Sequence, residues 1–173
     1  MYHKLRANKY AELLIIGIRF LLGLSFMPSG IAKLAGERFT ALSTETPIGY
    51  FFEALYQTGL YWQFLGFCQV FSAFLLFTQR FALLGALFFF GISLNIFMIT
   101  ISMDFTGTWI ITSLMLFAAM ILLSWDWYKL LPILGFSGGS EITAYKSPSA
   151  IWQVIGLTLF IGILSYVYSK IPR

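Results

Sequence analysis

The stretch that decides the fold is Leu13 to Ala35, LLIIGIRFLLGLSFMPSGIAKLA. It is apolar apart from Arg19 and Lys33 and two serines, and it is long enough to cross a bilayer as a helix, which takes about 20 residues. Four more runs follow: Leu60 to Phe77, Phe81 to Ile101, Thr108 to Trp125 and Ile151 to Tyr168. No isolated strand satisfies its backbone in hydrocarbon, so each run is expected to be a transmembrane helix. Composition agrees. Hydrophobic residues make up 59% of the 173, charged residues 10%, and Phe alone counts 19. A soluble domain carries about 25% charge and still exposes roughly a third of its chain surface, too much to hide this apolar content. The reading is an all-α polytopic membrane bundle in which lipid is the solvent for the outer faces.

The first run follows Lys4, Arg6 and Lys9, as a signal peptide would. It exceeds a signal core of about 7–15 residues and has no small-x-small cleavage site, so it is expected to be retained. With the N-terminus cytoplasmic, the inner segments hold Lys4, Arg6, Lys9, Arg80, Lys129 and Lys146, and the outer ones Lys33, Arg38, Lys170 and Arg173. That excess predicts an inner-membrane-type protein with a cytoplasmic N-terminus. The net charge of +4 does not point to nucleic acid, because the basic residues are scattered and mostly flank apolar runs.

The connections predict neighbours. Thr78-Gln79-Arg80 and Ser102 to Gly107 are short links between antiparallel helices. The loop Gly36 to Gly59 is longer. Thr46 suits an N-cap, Pro47 the first helical position and Gly59 the end. Ile48, Phe51, Phe52, Leu55 and Tyr56 share a face opposite Glu53 and Gln57. This predicts a short amphipathic helix, lying at the surface or folded over the bundle mouth. Residues 1–126 form the four-helix domain. Residues 127–150 form an interfacial connector with Trp127, Tyr128, Pro132 and the turn Ser137-Gly138-Gly139-Ser140, and 151–173 carry a fifth, appended helix.

Candidate site residues are the polar groups at membrane depth. Arg19, Gly23, Phe26, Gly30 and Lys33 fall on one helical stripe, and its two glycines admit a close neighbour. Arg19 stands roughly 9 Å into the run at about 1.5 Å per residue. It either faces the bundle interior or snorkels to headgroups. Lys33 reads as a headgroup anchor or as part of the interior stripe. Gln69 is near mid-membrane, and Asn95 shares a stripe with Gly91 and Ser102. A Gln69–Asn95–Arg19 cluster and plain interhelical hydrogen bonding both fit these residues. Asp104 either pairs with Lys33 or serves as a turn residue.

The inventory excludes several chemistries. The single His3 lies in the tail and Cys68 is the lone cysteine, so no catalytic triad, zinc cluster, haem ligation or intrachain disulfide is available. There is no phosphate-binding glycine loop. No intrinsic cofactor and no metal site are expected, nor any self-sufficient catalytic site. Cys68 reads as a small apolar residue.

Arg19-x3-Gly23, with Ser29-Gly30-x2-Lys33-Leu34 closing the first span, resembles the opening of the DoxX-like membrane proteins. Gly66-x2-Gln69, an apolar run and Arg80 in a short loop resemble that family's second and third helices. The likeness covers residues 13 to 125. The family often has an acid where this chain has Gln69, which tells against proton or ion chemistry there. The resemblance implies a four-helix membrane subunit associated with redox-enzyme partner subunits. A quinone-like or other small amphipathic molecule would be held between the helices near Arg19, Gly23, Gly30, Lys33, Gln69, Asn95 and Asp104. The protein would then be at most a subunit of an oxidoreductase complex, in contact with the lipid bilayer and open to oligomerisation. A non-enzymatic scaffold or assembly factor is the alternative, and a small-solute or lipid transporter a further one, although no inverted repeat is visible.

Overall fold

The computed structural model describes residue 6 and residues 8–131 and 149–171. Seven helices follow one another in these stretches: α1 Lys9–Leu34, α2 Pro47–Gln57, α3 Leu60–Phe77, α4 Ala82–Ser102, α5 Thr108–Trp125, α6 Trp127–Leu130 and α7 Ala150–Ser169. There is no strand among the described residues. Five of the helices, α1, α3, α4, α5 and α7, are long and apolar enough to cross a membrane. The chain is therefore a multi-pass membrane protein. The expected turn at Ser137 to Ser140 lies outside the described residues.

Helix α1 starts four residues before the apolar run that announces it. Asn8 caps it, its side chain accepting the Tyr10 N–H at 2.9 Å. Hydropathy does not register this polar first turn. Helix α2 starts where its cap was expected, with the Thr46 hydroxyl accepting the Gly49 N–H at 3.2 Å and Pro47 in the first turn.

Helices α1, α3, α4 and α5 form the bundle. The core holds Leu22, Phe26 and Met27 of α1, Leu76 and Phe77 of α3, Phe89 of α4 and Leu122 of α5. Phe26 stacks on Phe89 with ring centroids 4.1 Å apart. Close approach between α1 and α3 comes from glycines. A Cβ on Gly30 would stand 3.0 Å from Gln69 Cβ, and one on Gly66 would meet the Gly30 carbonyl at 2.7 Å. A Cβ on Gly23 would meet the Phe77 ring at 2.6 Å. Small residues here let the backbones pack by van der Waals contact, which drives helix association where lipid offers no hydrophobic gain. The Ser72 hydroxyl donates to the Gly85 carbonyl at 3.1 Å and ties α3 to α4. Thr100 and Thr112 share a hydrogen bond at 3.1 Å and tie α4 to α5.

Helix α7 lies outside this bundle, against α1 and α3. Gly156 lets it seat on the end of α3 beside Phe77, and Phe160 packs on Phe74 and Phe77.

Candidate functional site

The buried charged residues of the bundle lie at its two ends, and α1 supplies a cation to each. At the end where α1 begins, Arg19 is 4% exposed. Its Nη2 meets Asp126 Oδ2 at 2.9 Å and its Nη1 donates to Gln79 Oε1 at 3.2 Å. Asp126, between α5 and α6, is 2% exposed. Its other oxygen receives Arg6 at 3.1 Å and Lys129 at 2.9 Å. One carboxylate thus serves three cations. Arg6 also donates to the Trp125 carbonyl at 3.0 Å and lies 4.2 Å over the Tyr128 ring. Burial raises the Tyr128 pKa above the usual phenol range, against the lowering effect of its bond to Arg6 and of the nearby Lys129 charge. Gln79 holds a left-handed backbone, φ 57°, in the α3–α4 turn and donates its Nε2 to the Leu76 carbonyl at 3.0 Å. The Asp126 carboxylate therefore joins the N-terminal segment to the α5–α6 junction, and the Arg19 guanidinium links that junction to the α3–α4 turn.

At the opposite end Lys33 is 7% exposed and forms no ion pair among the described residues. Its Nζ donates to Gln69 Oε1 at 3.2 Å and to the Ser29 carbonyl at 3.4 Å. The Ser29 hydroxyl donates to the same Gln69 oxygen at 3.4 Å. The Phe39 ring covers Nζ at 3.8 Å and the Trp62 ring stands 5.1 Å away. Trp62 is held by its indole N–H on the Glu37 carbonyl at 2.9 Å. Helix α2 folds over this end: Phe52 packs edge-on to Phe39, Tyr56 edge-on to Trp62, and Arg38 pairs with Glu53 at 2.6 Å. Beside Phe39 and Trp62 is a small cavity of about 20 Å³, room for roughly one water. Next to it a broad depression of about 870 Å³ is lined by residues including Arg38, Phe39, Glu53 and Gln57.

This geometry sorts the candidates. The Gln69–Asn95–Arg19 cluster does not form. Arg19 is engaged by Asp126 and Gln79, Gln69 by Lys33 and Ser29, and Asn95 is exposed on α4. Gly23 and Gly30 are packing positions on α3. Asp104 does not pair with Lys33. It occupies a turn with φ 47°. Lys33 and Gln69 come together, and Ser29 joins them.

Asp126 and Gln79 are the partners of Arg19 that the apolar pattern left out. Both lie just past the end of a run, where an inventory of groups inside the runs stops. The available signal was Trp125-Asp126-Trp127, an acid between two interfacial aromatics at the same end as Arg19.

No family model, curated protein or solved structure matches this chain.

Proposed function

We propose that the protein is a DoxX-like membrane subunit that holds the polar head of a quinone-like small amphipathic molecule at the Lys33 end, alongside redox-enzyme partner subunits. The carrying observation is the donor-rich setting of Lys33, with no carboxylate paired to it among the described residues. A buried amine costs free energy unless its surroundings supply acceptors. Here Gln69 supplies one side-chain oxygen, shared with Ser29, and the rest of the cover is aromatic. A quinone carbonyl brings the acceptor that is short, and its flat ring suits Phe39 and Trp62. Phe39 sits in the irregular segment between α1 and α2, where a side chain moves at less cost than in a helix. The depression beyond it gives the route in, and the amphipathic tail stays in lipid. With the N-terminus cytoplasmic, this site faces the outer leaflet of a bacterial inner membrane.

The chain's own part is binding and orientation. Its described residues bring no metal-ligating cluster of their own. In this reading a partner subunit supplies the electrons. The test is a titration of the purified protein with a benzoquinone bearing a decyl tail. Lys33→Met is expected to weaken binding at least tenfold, with Arg80→Ala unchanged. Equal affinity in wild type and Lys33→Met overturns the reading.

A non-enzymatic scaffold is the second reading. It is favoured by the Arg19–Asp126 junction, which spends the deepest charge of the bundle on joining chain segments. It predicts no quinone binding by the wild type.

A further inference from the structure

Helix α4 turns an amide toward the hydrocarbon. Asn95 is exposed, and it makes no hydrogen bond among the described residues. It stands about 10 Å from the Ser102 end of the helix and about 20 Å from the Ala82 end, at about 1.5 Å per residue. Its side chain has two rotatable bonds and is too short to snorkel to either interface, as a lysine would. The other amides of the spans are placed differently. Gln69 is inside the bundle against Lys33, while Gln63 and Gln153 lie within the first turn of their helices, near the interface.

Around Asn95 the exposed face has a regular register. Leu84, Phe88, Gly91, Asn95, Met98 and Ser102 are all exposed and follow one another at steps of four and three. That spacing is the seam of two helices crossing at about +20°. Gly91, one turn from Asn95, has open space where a Cβ would stand. A second helix can therefore approach closely at the level of the amide.

We propose that this face of α4 is the interface of a homodimer, with Asn95 paired to Asn95 of a second copy. The amide itself selects the occupant. It carries a donor and an acceptor on one short side chain, so across a two-fold axis each copy gives what the other lacks. A symmetric contact of this kind uses the same patch twice and closes on itself. A lipid acyl chain offers neither group. The pairing also explains why an amide is affordable here, since in hydrocarbon its alternative is to have no partner at all.

The test is cross-linking in membranes in a Cys68→Ser background, with Met98→Cys on the seam and Ile161→Cys on the exposed face of α7 as control. Met98→Cys is expected to give a disulfide-linked species of twice the chain mass, and Ile161→Cys to give little. Asn95→Leu should cut energy transfer between labelled copies in diluted vesicles at least fivefold. The residue faces lipid, so the fold is kept, and unchanged thermal unfolding of Asn95→Leu checks this. Equal cross-linking at both positions, energy transfer unaffected by Asn95→Leu, or a Met98→Cys adduct whose mass is that of a different protein would overturn the proposal.

Discussion

Two basic residues on one face of α1, fourteen positions apart, have opposite surroundings. Arg19 lies within 2.9 Å of a buried carboxylate that two further cations share. Among the described residues Lys33 has no carboxylate partner, one side-chain acceptor and a cover of rings. The difference teaches which end of the bundle is built for stability. A buried charge that is paired and hydrogen-bonded is strongly destabilising to break, because its partner is left behind uncompensated. A buried amine without a counter-ion gives little stability, and a site that gives none has to be explained by something else it does.

The largest expected effect is therefore at Asp126. Asp126→Ala removes the carboxylate that three cations share. Arg6 and Lys129 are part-exposed and can swing toward water, but Arg19 cannot. A loss of about 3–5 kcal/mol is expected, the scale for one member of a buried pair. Thermal unfolding in detergent measures it, and an unchanged midpoint would remove the contrast between the two ends. Arg19→Met should cost less, about 2–3 kcal/mol, because Asp126 then keeps two cations. If Arg19→Met proves the more damaging of the two, Arg19 has a role beyond this carboxylate.

Gln79→Ala comes next. The amide receives Arg19 and ties the α3–α4 turn to Leu76. A charge-assisted hydrogen bond contributes about 1.5–3 kcal/mol and a neutral one about 1. With Asp126 still in place to hold Arg19, about 1–2 kcal/mol of destabilisation is expected. The combination Gln79→Ala with Arg19→Met should be less than additive, since both remove the same contact. Strict additivity would mean that the turn and Arg19 are not coupled.

The spans were legible because length and apolarity alone determine what crosses a bilayer. Sequence and structure agree at Leu60 and Phe77, at Thr108 and Trp125, and within one residue for α4 and α7. Helix α2 was legible because Thr46-Pro47 is a capping signal and its apolar face has helical period. The glycine stripe also carried information, since close approach to α3 needs Gly23 and Gly30. What periodicity does not contain is direction. Gly91, Asn95 and Ser102 do share a face, and that face points away from the bundle. Nor does it contain partnership over long separations. Asp126 is 107 positions from Arg19, and only the stacking of three turns at one end brings them together. Lys33 was expected at the headgroups because it closes an apolar run. The aromatic cover that buries it comes from Phe39 and Trp62, in segments whose fold over the bundle end is tertiary.

The smallest expected change in stability is at Lys33, and it is the most informative. Met has similar length and reach, fills the space under Phe39, and needs no acceptor. Replacing a buried charged or polar group by a well-packed apolar one of similar volume is often neutral or stabilising. Lys33→Met should therefore shift stability by less than about 1 kcal/mol, toward greater stability, when no ligand is bound. The carbonyl of Ser29 and the oxygen of Gln69 lose a donor, which sets the limit on the gain; Gln69 keeps the Ser29 hydroxyl. The same variant should lose the stabilisation that saturating quinone gives the wild type, because a ligand stabilises only the form that binds it. Two unfolding curves for each protein, with and without the decyl quinone, read both effects at once. If Lys33→Met unfolds like Asp126→Ala, Lys33 is a structural group, and the two ends of α1 are alike after all.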